Sequence, residues 1–188
     1  MRKYIKKSYH IVIKILVSLF YDKKYLCGKY FDNDKDIGGW KWAFRGILHQ
    51  KILGSNRHIP WVVCSPFHIS NKKNITFHPN SINNFQSPGC YFQNFKGKIY
   101  ICDNVFIGPN VGLITTNHNL KDLNLHDEPK NIVIGKNCWI GMNSVLLPGV
   151  KLGRNTVVGA GSVVRKSFRH GNVIIAGSPA KIIKYLES

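Results

Sequence analysis

The sequence predicts an all-β chain wound into a parallel β-helix, a solenoid of short strands. Three observations predict it: a six-residue period from Ile134 to Val164, the same columns further upstream, and turn-forming residues at fixed offsets. The stretch reads IGKNCW-IGMNSV-LLPGVK-LGRNTV-VGAGSV-V. Each hexad opens on an aliphatic residue: Ile134, Ile140, Leu146, Leu152, Val158 and Val164. Asn137, Asn143, Gly149, Asn155 and Gly161 fill the fourth position, and Cys138, Ser144, Val150, Thr156 and Ser162 the fifth. Residues six apart lie off any one helical face, and a plain strand alternates with period two. Short strands broken by tight corners do fit. The aliphatic residue points inward, and Asn or Gly takes the left-handed backbone at each corner. Each rung then buries its face against the next.

The columns recur in ICDNVF, IGPNVG and LITTNH, opened by Ile101, Ile107 and Leu113 with Asn104 and Asn110 at corners. Three hexads make a triangular rung, giving rungs 101–118, 134–151 and 152–169. Residues 119–133 are then a loop pushed out of the helix directly after His118.

At 188 residues one core is expected. Hydrophobic residues at 44% with 19% charged exclude a disordered chain. Cys27, Cys64, Cys90, Cys102 and Cys138 lack any CxxC spacing and read as reduced thiols, with Cys102 and Cys138 as small buried packing within hexads. The net charge of +18 attracts anions. No helix-turn-helix, zinc-finger or RNP-type motif accompanies it, so nucleic acid is not expected as a partner.

The organisation follows as 1–70, an amphipathic and capping segment; 71–170, the β-helix; and 171–188, a strand and short helix. MRKYIKK followed by IVIKILVSLFY is too short an apolar run to span a bilayer and lacks a small-x-small cleavage site. It reads as a basic amphipathic helix, packed on the solenoid end or lying on a membrane surface. Residues 27–70 permit a short helix over Trp40–Leu53, ended by Gly54, and supply the cap that an open solenoid end needs. Residues 71–100 form irregular early rungs. Ser178 as N-cap and Pro179 as first helical residue predict a helix to about Leu186, whose N–H groups with Lys181 and Lys184 form an anion site.

These hexads, with NCWIGMNSVLLPGV, VVGAGSVV and AGSPAKII, resemble the hexapeptide acyltransferases with a left-handed β-helix. The branch holding maltose and galactoside acetyltransferases and bacterial polysaccharide O-acetyltransferases is the most similar. The resemblance alone supplies the handedness, since ordinary crossovers are right-handed. It also implies acetyl-CoA as donor, no metal, and a homotrimer with sites between subunits. TTNHNL is similar to the family's catalytic-histidine motif, which makes His118 the general base that removes the acceptor's hydroxyl proton. The donor is expected against Trp139, Gly141, Met142 and Ala160, with a backbone N–H at Gly141–Met142 meeting the oxyanion. Arg165, Lys166, Lys181 and Lys184 face its phosphates. Asn94 and Asn117 are expected at the acceptor, but NFKGK lacks the carboxylate that galactoside acetyltransferases carry near there.

Sequence and resemblance together point to cytoplasmic O-acetylation of a sugar hydroxyl in a surface polysaccharide or its lipid-linked precursor. A peripheral contact with the inner leaflet is left open. The rivals are an N-acetyltransferase on a nucleotide-linked amino sugar, a zinc carbonic anhydrase of similar fold that would need three histidines, and an inert binding solenoid.

Overall fold

The computed structural model describes residues 2–33 and 37–187. The β-helix is laid down coil by coil, the three central coils each contributing one short strand to each of three faces. The first coil has β1 (His68–Ile69) and β2 (Ile75–Phe77), and a 3-10 helix over Pro79–Gln86 takes the third side. The second has β3 (Tyr91–Gln93), β4 (Ile99–Ile101) and β5 (Phe106–Ile107). The third has β6 (Gly112–Ile114), β7 (Ile132–Ile134) and β8 (Trp139–Ile140). The fourth has β9 (Val145–Leu146), β10 (Lys151–Leu152) and β11 (Thr156–Val158). The fifth has β12 (Val163–Val164), a single bridge from Phe168 to Leu152, and β13 (Val173–Gly177). All of these pair in parallel, face one as β1-β3-β6-β9-β12, face two as β2-β4-β7-β10 and face three as β5-β8-β11-β13.

The hexad columns are the observed register. Ile101, Ile134 and Leu152 are partners on face two; Ile107, Ile140 and Val158 on face three; Leu113, Leu146 and Val164 on face one. All nine side chains are buried. Cys138, in a fifth position, is buried too, and burial pushes its thiol up to about 11. Cys102 is not: it occupies a second position, which the strand alternation turns outward, and it is exposed. The expectation of a buried Cys102 is corrected on that ground.

Asparagine holds the corner between faces two and three. Asn104, Asn137, Asn155 and Asn172 have φ of 54°, 59°, 55° and 50°. Their side chains form a ladder, each Nδ2 donating to the next Oδ1 at 3.1, 3.2 and 2.7 Å. Lys29 from the cap donates to the free end at Asn104, 2.9 Å away. Asn137→Ala should cost about 2–3 kcal/mol, combining left-handed strain with two lost bonds, and Asn137→Gly about half of that. Urea unfolding measures both; equal costs would remove the backbone conformation from this account.

The N-terminal end is closed by α1 (Arg2–Phe20), α2 (Gly38–Gly46) and a π-helical turn over Ile47–Ile52, ended by Gly54 at φ 92°. The basic side chains of MRKYIKK lie outside those described. Ile13 and Val17 turn inward from α1, and Tyr21 is buried just past its end. Below them Trp61, Phe77, Phe85, Phe67 and Phe92 interlock, successive ring centroids 4.8–5.9 Å apart, and plug the open coil.

The C-terminal segment differs from the expected helix. β14 (Ala180–Tyr185) folds back antiparallel on β13, pairing Gly177 with Ala180 and Ile174 with Lys184. Ser-Pro is a turn signal as well as a helix start. Here Gly177, at φ 102°, turns the chain. The edge of face three then decides: β13 would otherwise present unpaired N–H and C=O groups, and β-branched Ile182 and Ile183 suit the strand that covers them.

Candidate functional site

His118 stands where the chain leaves the solenoid. The departure point is Ile114 and the return is Ile132, so the loop is 115–131 rather than 119–133. Residues 132 and 133 are in β7 because Ile132 and Val133 pair with Ile99 and Tyr100. The loop's base is clamped by Gln93. Its Oε1 accepts the N–H groups of Thr115 and Thr116, each at 3.1 Å, and its Nε2 donates to the Thr116 carbonyl at 2.9 Å. The Lys130 N–H closes the base on the Thr115 carbonyl at 2.8 Å.

Within the loop, His118 and His126 form an antiparallel bridge. Asn119 Nδ2 donates to Asp127 Oδ1 at 3.0 Å and holds the two arms together. His118 Nδ1 lies 2.8 Å from the Leu123 carbonyl oxygen. A carbonyl only accepts, so Nδ1 carries the proton and Nε2 keeps its lone pair. The His126 ring lies 4.6 Å from that of His118, and Phe95 meets His126 edge-on at 5.1 Å. The imidazole is exposed, so Nε2 can meet a ligand. The sequence singles out His118 but carries no sign of what orients it. The Leu123 carbonyl carries no side-chain signal, and pairing His126 with His118 requires the loop's return path. No third histidine, cysteine or carboxylate joins this pair as a potential metal set among the described residues.

The other expected site residues fall on two edges of the prism. The edge between faces three and one carries Met142 and Ala160, with Trp139 on the adjoining strand, 57% exposed and in register with Phe106. Gly161, at φ 67°, has nothing within 4 Å of where a Cβ would stand, so this corner is open. Gly141 does different work from that expected. Its N–H donates to the Val158 carbonyl at 2.8 Å, and a Cβ there would meet the Ala160 nitrogen at 2.6 Å. It permits coil stacking and has no N–H left for an oxyanion; of the pair, only the Met142 N–H makes no backbone hydrogen bond among the described residues. Lys181 and Lys184 are exposed on β14, at the end of face three. With no helix there, the expected ring of N–H groups around them does not form.

Arg165 and Lys166 lie on the opposite edge, between faces one and two, two coils beyond His118; Lys166 Nζ is 5.6 Å from the Phe168 ring. One face of about six residues, roughly 15–20 Å at the rise of a strand, separates the two edges. One chain therefore does not bring His118 beside Met142.

Asn94 is corrected outright. It is wholly buried, its Nδ2 donating to the Asn71 carbonyl at 2.8 Å and its Oδ1 accepting the Asn71 N–H at 3.1 Å. Both ends of the amide staple one coil to the next, which leaves nothing for an acceptor. Asn117 is exposed beside His118, its carbonyl accepting the Asp127 N–H at 3.0 Å.

Residues 131–166 match the family model described as bacterial transferase hexapeptide (six repeats). Escherichia coli galactoside O-acetyltransferase is 43% identical over 93 residues, 46% of this chain and 43% of that protein. The Escherichia coli protein WbbJ, provisionally named a lipopolysaccharide biosynthesis O-acetyl transferase, is 53% identical over 57 residues, 30% of this chain and 29% of its own. These alignments span less than half the length of the curated relatives. Among solved structures, a Vibrio cholerae hexapeptide-repeat-containing acetyltransferase complexed with acetyl coenzyme A superposes with a TM-score of 0.60 at 30% identity. That match covers 66% of this chain and 67% of that one. Repeat, coil geometry and likeness across two thirds of a solved relative agree: this chain belongs to the hexapeptide-repeat acetyltransferase family, whose three-sided β-helix is left-handed.

Proposed function

We propose that the protein transfers an acetyl group from acetyl coenzyme A to a sugar hydroxyl of a bacterial surface polysaccharide or its lipid-linked precursor, in the cytoplasm where that donor is found. The observation that carries the reading is the His118 imidazole, exposed and fixed through Nδ1 by the Leu123 carbonyl. Its Nε2 takes the hydroxyl proton as the oxygen attacks the thioester carbon. The carbon–sulfur bond breaks, and the departing thiolate takes the proton back from His118. The Met142 N–H is the donor for the oxyanion. The acetyl coenzyme A held by the Vibrio cholerae relative, and the names of the galactoside and lipopolysaccharide relatives, support donor and acceptor class.

The active unit is a homotrimer. His118, Arg165 and Lys166 on one edge and Trp139, Met142 and Ala160 on another form two halves of a cleft, which a three-fold axis joins between neighbouring copies. Exposed Leu120, Leu123 and Leu125 on the loop and Phe106 and Trp139 on face three give such contacts apolar substance.

Incubation with acetyl coenzyme A and the host glycan, its lipid-linked repeat unit or free nucleotide sugars tests the acceptor. An alkali-labile ester on the glycan or its precursor is expected; a stable amide on an amino sugar would replace this reading with N-acetylation. Co-folding His118→Ala chains with Ala160→Trp chains tests the shared cleft. Random trimers should recover about one quarter of wild-type activity, because that fraction of clefts takes both intact halves. No recovery would place each site within one chain.

A further inference from the structure

We propose that the outer face of α1 and the groove beside it seat the protein on an anionic phospholipid surface. Residues 11–20, IVIKILVSLF, are apolar almost all the way round the helix. Such a helix is expected to be buried on every side. The fold covers only one. Ile13 and Val17 pack inward, whereas Ile11, Val12, Ile15 (59% exposed) and Leu19 (74% exposed) face outward.

The exposed apolar surface continues past the helix. A groove of about 580 Å³ runs alongside, lined by Leu16, Phe20, Phe44, Leu48 and Ile52. Patches of this kind mark interaction sites.

Charge decides what covers it. Arg45 and His49 stand in the wall of the groove, and Lys14 and Lys23 border Ile15 and Leu19 in a shallow depression on the helix. Among the described residues no acidic side chain lines either. Asp22, just past the end of α1, lies 3.4 Å from Lys24. A second copy docked here about a two-fold axis would set Lys14, Lys23 and Arg45 against themselves, on a chain carrying +18. An anionic bilayer accepts both components: apolar side chains enter the acyl boundary, and the cations meet lipid phosphates, each worth about fivefold in partition. Among the described residues no helix is long and apolar enough to cross a membrane, so α1 lies in the interface. The inference stands apart from the transfer chemistry, although a lipid-linked acceptor would bring the two together.

Sedimentation of the full chain with phosphatidylcholine vesicles, and with phosphatidylcholine–phosphatidylglycerol vesicles, tests it. Binding is expected only to the anionic vesicles and should weaken with salt. The double variant Ile15→Glu/Leu19→Glu, changed only at exposed positions, should bind more than tenfold less. Lys23→Gln/Arg45→Gln should bind roughly 25-fold less. Circular dichroism and coenzyme A binding should be unchanged in both, which separates loss of the surface from loss of the fold or of the donor site. No binding to anionic vesicles, or equal binding by wild type and both variants, would overturn the proposal. So would a fall in oligomer mass in the glutamate variant with vesicle binding intact, since a second copy would then cover the face.

Discussion

Replacing His118 by alanine should slow acetyl transfer by roughly 10²–10⁴-fold, the usual worth of a general base, with coenzyme A binding nearly unchanged. The size of the effect follows from the tautomer. The Leu123 carbonyl accepts from Nδ1 at 2.8 Å, so in the neutral imidazole the lone pair lies on Nε2. Neighbouring side chains do not replace it: the nearest imidazole, His126, packs against the His118 ring, tilted by 32° with centroids 4.6 Å apart. His126 is accordingly a positioning residue. His126→Ala should lower kcat several-fold with little change in KM, and His126→Phe, which keeps a ring between Phe95 and His118, should restore most of the loss. Steady-state kinetics on protein of verified oligomeric mass provide the readings. An alanine variant at 118 that turns over within a few-fold of wild type would remove the assignment.

The second large effect lies far from the chemistry. Gln50→Leu should destabilise the N-terminal cap by roughly 3–6 kcal/mol, because a wholly buried amide there satisfies several backbone groups at once. Its Nε2 donates to the carbonyls of Trp61, Ile59 and Asn56 at 2.8, 3.2 and 3.3 Å. Its Oε1 accepts the Val63 N–H at 2.9 Å and the Tyr21 hydroxyl at 3.2 Å. The π-helical turn at Ile47–Ile52 aims the side chain inward at this strand-like stretch. Leucine fills a similar volume but leaves the Val63 N–H and three carbonyls without this partner. Burial raises the Tyr21 pKa above that of a free phenol, so its stabilising contribution is complete below about pH 10 and declines as pH rises above that. Urea unfolding and amide exchange over residues 13–63 measure the change. A cost under about 1 kcal/mol would mean that the amide is dispensable.

The sequence by itself determined the coil. Its signal repeats every six residues, so the inward columns, the asparagine corners and the three-strand rung were all readable from Ile101 onward, and the register follows them column for column. His118 draws attention in the sequence for the same reason, as the residue that ends the last hexad before the repeat is interrupted. Only the tertiary structure decided features set by partners distant in the chain. Ser178 and Pro179 serve a turn as well as a helix, and the unpaired edge of β13 selected the strand. Asn94 looks like a surface polar residue until Asn71, on the preceding coil, takes both ends of its amide. Gly141 reads as an open backbone position, yet the next coil consumes its N–H and fills the space a side chain would need. The Leu123 carbonyl that fixes the tautomer of His118 belongs to no motif, since any residue could supply it; the path of the loop brings it there. Periodic burial is written locally, residue by residue, whereas edge pairing and hydrogen-bond partners are settled only when remote segments meet.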